Sequence, residues 1–280
     1  MEIILHTGVH RTATTSFQHW LLENSEMLAA HGTVIWEIGT MRSKSFELFG
    51  SPVDTVTDTP QIRQTTARLL RRQIDKMERD GVRTLLISEE NMLGGIRRGM
   101  AKGQIYPEAV DRLERLDRLF DGGIAKFAFG LRDYCDYWTS CVGLLVSRGD
   151  EIPPETSFPK LAASARGWPD LACDINDAFP SCEQVIWTFD RFKSDPLGQL
   201  TAILGRAPVP EDVTLTAPLF RNPSPKGDAL RAILGDEFCY TPEGNLAIFS
   251  PEDAAALKAR YTADLAWFRS QTMPGFTYLD

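Results

Sequence analysis

Glu2-Ile3-Ile4-Leu5-His6-Thr7-Gly8-Val9-His10-Arg11-Thr12-Ala13-Thr14-Thr15-Ser16-Phe17, continuing through Trp20 and Leu21 to Asn24, passes within one short stretch from a strand to a turn to a helix. Glu2 to Thr7 is an apolar run with β-branched residues, the pattern of a buried strand. Gly8 ends it. Thr14, Thr15 and Ser16 are residue types that cap helix starts, and Phe17, Trp20, Leu21 and Leu28 then recur at helical spacing. A strand, a Gly-led loop and a hydroxyl-rich helix start make the geometry of a phosphate cradle. Turn amides and the positive end of the helix dipole converge there on one anion. The plainer alternative is a Thr-capped helix after an ordinary strand.

The nucleotide-triphosphatase form of such a loop is G-x-x-x-x-G-K-[ST], with Lys on the β/γ-phosphates and Ser/Thr on magnesium. Gly8 to Thr15 occupy those positions, but Ala13 replaces the second Gly, Thr14 replaces the Lys, and the basic residue sits earlier, at Arg11. Losing that Lys argues against ATP or GTP chemistry. Arg11-Thr12-Ala13-Thr14-Thr15 instead resembles the 5′-phosphosulfate loop of the 3′-phosphoadenosine 5′-phosphosulfate (PAPS)-dependent sulfotransferases, [KR]-[ST]-G-T-T after the first strand, and departs from it only at Ala13. Alanine there demands a negative φ that Gly would not, so the local loop geometry is expected to differ. The resemblance implies that the stretch Gly8, His10, Arg11, Thr12, Ala13, Thr14, Thr15 and Ser16 holds the donor nucleotide.

Further along, Arg83 to Ser88 is a strand with an apolar centre, as buried parallel strands are. Glu89, Glu90 and Asn91 follow at once. Ligands in open α/β sheets bind beyond the carboxyl ends of the strands, which sets these side chains near the cradle. A polar loop with Glu at a helix start is the competing reading. In the sulfotransferase pattern the comparable strand ends in Ser-Ser-Glu. That resemblance puts Glu90 in the role of general base, with Glu89 as second choice.

Ile124 to Leu131 is another strand, and Arg132 at its end is followed eight residues on by Ser140. This resembles the R-x7-S motif that binds the 3′-phosphate in sulfotransferases. A guanidinium fork and a hydroxyl suit a phosphate monoester, although such a spacing alone is cheap by chance. Phe220 to Gly227 is basic and turn-rich. Arg221, Lys226 and Gly227 stand where sulfotransferases often close the 3′-phosphate site, in a different register, and a solvated loop fits them equally.

The remaining pattern gives a strand at Thr33–Trp36, an amphipathic helix at Gln61–Arg79 with Ile62, Leu69, Leu70, Ile74 and Met77 on one side, and a charged helix at Pro107–Phe120. A helix at Pro169–Phe179, a strand at Gln184–Phe189, a helix ending at Leu204 and a terminal helix from Pro251 to Phe268 follow. Strands alternating with helices predict a three-layer α/β/α fold of P-loop type, with a central, mainly parallel sheet of about five strands. One domain over 1–280 is expected, with loop or lid segments near 40–60, 94–106 and 149–168; the glycines Gly94, Gly95, Gly99 and Gly103 mark the second as a mobile loop.

Composition sets outer bounds. The chain is 280 residues long, 43% hydrophobic and 24% charged, ordinary for a globular protein. A net charge of −8 disfavours a broad nucleic-acid surface while allowing a local basic pocket. No apolar run approaches the ~18–20 residues of a membrane span. The five cysteines include no C-x-x-C pair and read as reduced thiols; with no leader pattern before the first strand, a cytoplasmic location is expected. All four histidines lie between His6 and His31, which offers neither a metal site nor a Ser-His-Asp triad.

The sulfotransferase resemblance implies transfer of a sulfuryl group from PAPS to a hydroxyl or amine of a small-molecule, lipid or sugar acceptor, without a metal. Arg11 would stabilise the leaving phosphate, Glu90 would take the acceptor proton, and Arg132 with Ser140 would hold the 3′-phosphate. A P-loop kinase or nucleotidase, or a non-catalytic nucleotide-binding relative, are the alternatives. The identity of the acceptor and the oligomeric state are not written in the sequence.

Overall fold

The structure, a computed structural model, describes residues 1–36, 38–41, 59–217, 228, 231–232, 240–241, 244 and 246–280. Six strands form one sheet: β1 (Glu2–His6), β2 (Thr33–Trp36), β3 (Thr84–Ser88), β4 (Lys126–Leu131), β5 (Glu183–Thr188) and β6 (Phe276–Leu279). Their spatial order is β2-β3-β1-β4-β5-β6, and every pairing is parallel. The expected three-layer α/β/α architecture is therefore present, with one strand more than expected and, among the described residues, no antiparallel strand in the sheet.

β3 and β4 are buried along their whole lengths, which explains why they read as unbroken apolar runs. Side chains alternate between the two faces. Ile3, Leu5, Leu85, Ile87, Phe127 and Phe129 join one core, while Ile4, Leu86, Ala128, Val185 and Trp187 join another. The second core is closed by α1 (Thr14–Glu23), α2 (Ser25–Ala30) and, late in the chain, residues Leu200, Ile203 and Leu204 of a further helix. A short helix, α3 (Ile38–Met41), follows β2.

Helices on the opposite face come mainly from the middle of the chain. α4 (Pro60–Arg79) carries the expected amphipathic pattern, but only Leu70 of its predicted apolar side is fully buried and Ile62 is exposed. α5 (Ile96–Lys102) replaces the mobile loop expected at 94–106: Ile96 and Met100 are buried in the core. Gly99 sits inside this helix because a Cβ there would lie 2.9 Å from the Gln104 carbonyl oxygen. α6 (Ala109–Phe120), α7 (Tyr134–Ser147), α8 (Phe158–Ala162), α9 (Trp168–Ala178), α10 (Phe189–Phe192), α11 (Pro196–Leu204) and α12 (Pro251–Ser270) complete the described helices. Residues 149–168 thus include α8 and a 3-10 turn at Glu155–Ser157. The segment expected as a lid near 40–60 lies, from 42 to 58, outside the described residues. No helix among the described residues is long and apolar enough to cross a membrane.

The chain leaves β1, builds β2 and β3 on one side of it, then crosses to β4 on the other. That reversal opens a crevice at the carboxyl end of β1. Three of the segments singled out in the sequence end there: the loop after β1, the carboxylates after β3 and the arginine after β4.

Candidate functional site

The loop after β1 closes on a single carbonyl. Val9 is fully buried, and its oxygen accepts from Thr12 N–H (3.3 Å), the Thr12 hydroxyl (2.6 Å) and the Thr14 hydroxyl (3.2 Å). Both threonines therefore give their hydroxyl protons to the loop itself, and their part at the site is to shape it. Gly8 has φ 34°, and a Cβ there would come within 2.5 Å of Thr14 Cγ2. Only glycine fits beneath that turn.

Ala13 corrects the sequence expectation. It holds φ 61° and ψ 17°, in the left-handed region, as the N-cap of α1. An L-residue takes that conformation at a cost of about 1–2 kcal/mol, so the packed turn around Val9, not local preference, determines the backbone. Arg11 is left-handed as well, at φ 66°. Left-handed residues separated by an ordinary one turn successive amides toward one point, the arrangement of an anion nest. The opening N–H groups of a helix have no intrahelical carbonyl, and Ala13 supplies no side-chain cap to those of α1. Thr15 and Ser16, half-buried, stand in this first turn.

Arg11 reaches across the crevice. Its Nε donates to Ser140 Oγ at 2.8 Å, and its own carbonyl accepts from Arg132 Nη1. The two motifs that lie more than a hundred residues apart in sequence are thus one cluster. Asp133 caps α7 by accepting from Cys135 N–H (2.9 Å) and Asp136 N–H (3.3 Å). Two helical turns span about seven residues, which carries Ser140 onto the cap's side of the helix. Arg132 is fixed from two directions: its guanidinium lies 4.8 Å over the Phe189 ring, and its carbonyl accepts from the Trp168 indole at 2.9 Å.

Electrostatically the cluster sets two partly buried cations among flanking carboxylates: Asp136, Asp190 and Asp133 favour the charged form of Arg132, and Glu90 that of Arg11. Burial lowers the pKa of both Arg11 and Arg132 from the usual guanidinium value, and each still carries its proton in any accessible pH range. After burial, Arg11 feels Cys141, the repulsion of the like-charged Arg132, the favourable charge of Glu90, and then the repulsion of the exposed Arg148. Arg132 Nε is buried with no hydrogen-bond partner among the described residues. An unsatisfied buried donor of this kind costs about 1–3 kcal/mol or more when charged, and an anion seated in the crevice would satisfy it.

The neighbouring carboxylates divide into two roles. Glu89 is fully buried and its Oε1 accepts Asn91 N–H at 2.9 Å, capping a 3-10 turn at Glu90–Leu93. Glu90 is half-buried and its charge acts on Arg11. His10 is buried with both ring nitrogens engaged, Nδ1 at 2.9 Å from Tyr106 Oη and Nε2 at 3.1 Å from Asn91 Oδ1; its side chain supports the loop from beneath. Lys226, with Arg221 and Gly227, lies outside the described residues.

Tyr106, Phe189 and Arg148 belong to this neighbourhood without any local sequence signal for it. Among the described residues no group of His, Cys, Asp or Glu could hold a metal ion.

No family model and no curated protein matches the chain. Among solved structures, a sulfotransferase from Alicyclobacillus acidocaldarius is similar over 96% of this chain and 99% of its own, with 18% sequence identity and a TM-score of 0.43.

Proposed function

We propose that the chain transfers a sulfuryl group from PAPS to an acceptor hydroxyl or amine. The observation that supports this best is the 2.8 Å bond from Arg11 to Ser140, with Arg132 on the Arg11 carbonyl. It brings a phosphate-loop cation together with a second cation and a hydroxyl suited to a further phosphate. A donor bearing phosphates at both the 5′ and 3′ positions matches two such adjoining anion sites; ATP offers nothing for the second.

In this reading the acceptor oxygen or nitrogen attacks sulfur in line. The bond from sulfur to the bridging phosphate oxygen breaks, and adenosine 3′,5′-bisphosphate leaves. Arg11, the loop amides and the start of α1 balance the charge that grows on the bridging oxygen. Glu90 takes the acceptor proton. Arg132 and Ser140 hold the 3′-phosphate, with Phe189 fixing the plane of the guanidinium.

Ligand-dependent unfolding tests the donor. Adenosine 3′,5′-bisphosphate at a hundred times its Kd should stabilise the chain by about 2.7 kcal/mol. Arg132→Ala should weaken that binding by roughly tenfold to a hundredfold, the worth of a charged hydrogen bond. Stabilisation by magnesium-ATP alone would point to a kinase or nucleotidase and sink the proposal.

The two carboxylates give a second test. Glu90→Gln should lower the transfer rate by about 10²-fold or more with an unchanged melting temperature. Glu89→Ala, which strips a buried amide of its acceptor, should instead cost about 1–3 kcal/mol of stability. Reversed outcomes would exchange the roles assigned to the pair.

A further inference from the structure

Tyr106 follows α5 and holds φ 41°, a conformation that a bulky aromatic residue takes only when its surroundings enforce it. The enforcement is visible. Gly103 turns the chain back at φ 68°, Gln104 N–H donates to the Gly99 carbonyl at 3.1 Å, and the Ile105 carbonyl accepts from Arg166 Nε at 2.8 Å. Beyond the turn, Ala109 N–H donates to the Tyr106 carbonyl at 3.1 Å. The result drives the tyrosine ring into the interior, where it is 3% exposed.

There its hydroxyl meets the residue immediately before Arg11. Oη accepts the His10 backbone N–H at 2.8 Å and lies 2.9 Å from His10 Nδ1. The two rings are stacked, with centroids 5.8 Å apart. Nε2 on the far side of the imidazole faces Asn91 Oδ1, an acceptor, so Nε2 carries the proton and Nδ1 accepts from the tyrosine. Asn91 is anchored in turn, its carbonyl accepting from the buried Arg112 at 3.3 Å. Burial pushes the phenol pKa far above its usual range, so Tyr106 remains a donor. His10 is thus held at its main chain and at both ring nitrogens.

We propose that Tyr106 is a positioning residue for the phosphate loop, its hydroxyl setting the Val9–His10 peptide and the His10 ring so that the next residue, Arg11, keeps its left-handed turn and reaches Ser140. This rests on the reading of Gly8–Ser16 as the seat of the donor's 5′-phosphate. A residue next to a strained position matters because the strain persists only while neighbours over-determine it. The substrate is not touched by Tyr106.

Tyr106→Phe removes the hydroxyl and keeps the ring. The affinity for adenosine 3′,5′-bisphosphate, measured by calorimetry, should fall about tenfold, equivalent to ~1.4 kcal/mol. The affinity for adenosine 3′-monophosphate, whose phosphate addresses Arg132, should stay within about twofold, as for an independent site. General softening of the fold would weaken both nucleotides together and so overturn the proposal, as would an unchanged ratio of the two affinities. If Tyr106→Phe does not fold, His10→Gln serves instead: it removes the Nδ1 that takes the tyrosine proton and so frees the hydroxyl to turn away from the backbone N–H; a selective loss in the same direction is expected. Failure of the unaltered protein to bind either nucleotide overturns the donor reading, and this inference with it. Binding of both by the unaltered protein with no selective loss in the variants overturns the role of Tyr106 alone.

Discussion

Arg11→Ala is expected to lower sulfuryl transfer by about 10³-fold while changing folding stability by no more than about 1 kcal/mol. Arg11 is half-buried, and burial lowers its guanidinium's pKa from the usual value. A preorganised donor aimed at developing charge contributes about 2.7–4 kcal/mol to a transition state. The loop would survive the substitution, because it is closed by Thr12 and Thr14 on the Val9 carbonyl and not by the arginine side chain. Arg11→Lys should recover part of the rate only. Lysine restores a charge but not the fork that bonds Ser140 through Nε. Transfer from a sulfur-labelled donor, read beside a thermal melt, separates the effects. Undiminished transfer by Arg11→Ala would remove Arg11 from the mechanism; undiminished nucleotide binding with no transfer even by the unaltered chain would make the protein a binder.

The residues that were legible in the sequence are those whose chemistry is local. β1, β3, β4 and β5 are recognisable because burial on two faces selects unbroken apolar runs, and Arg132 and Ser140 because a strand end and two helical turns fix them within nine residues. β6 was not legible. It is four residues, Phe276–Leu279, only partly buried, too short a run to stand out from the segment that follows the terminal helix. The sequence of α5 reads as a mobile loop because its glycines suggest flexibility. Gly95 and Gly103 flank the helix, and Gly99 lies within it where the returning chain leaves no room for a Cβ.

Ala13 shows the limit of a propensity argument at a site. Alanine disfavours positive φ, and that correct local rule gave the wrong backbone because three hydrogen bonds on Val9 and the clash below Gly8 decide the turn. Glu89 and Glu90 could not be separated by spacing, since both follow the same strand; the cap of a 3-10 turn separates them. Tyr106 was invisible for a different reason. Its partner His10 is 96 residues away, and the positive φ that brings them together has no glycine to announce it.

His6, at the end of β1, makes the second large effect a matter of pH. It is 1% exposed, with Phe17 edge-on at 5.0 Å and Trp187 stacked at 5.9 Å. Its Nδ1 lies 2.8 Å from Ser88 Oγ, and Nε2 faces the Gln199 amide nitrogen, a donor. The neutral ring is therefore served on both sides, and burial lowers its pKa from 6.5 to about 3. An unfolded histidine takes its proton near pH 6.5, while the folded one refuses it until about pH 3. Between those values the unfolded chain binds more protons, so stability falls as pH falls. Above pH 6.5 the residue is neutral in both states and contributes no slope. At about 1.36 kcal/mol per pH unit, acidification from pH 7 to pH 5 should remove roughly 2 kcal/mol through this side chain. Urea unfolding of the parent and of His6→Gln across that range measures it. The variant will start less stable, having lost a packed ring, but its stability should decline less steeply by that ~2 kcal/mol, other titrating groups cancelling in the comparison. Because His6 is the residue from which the Gly8 loop springs, nucleotide binding should weaken over the same range only as the folded population falls. Parallel acid slopes for the two proteins would mean that the folded imidazole protonates as readily as the unfolded one, and that water reaches the base of the loop.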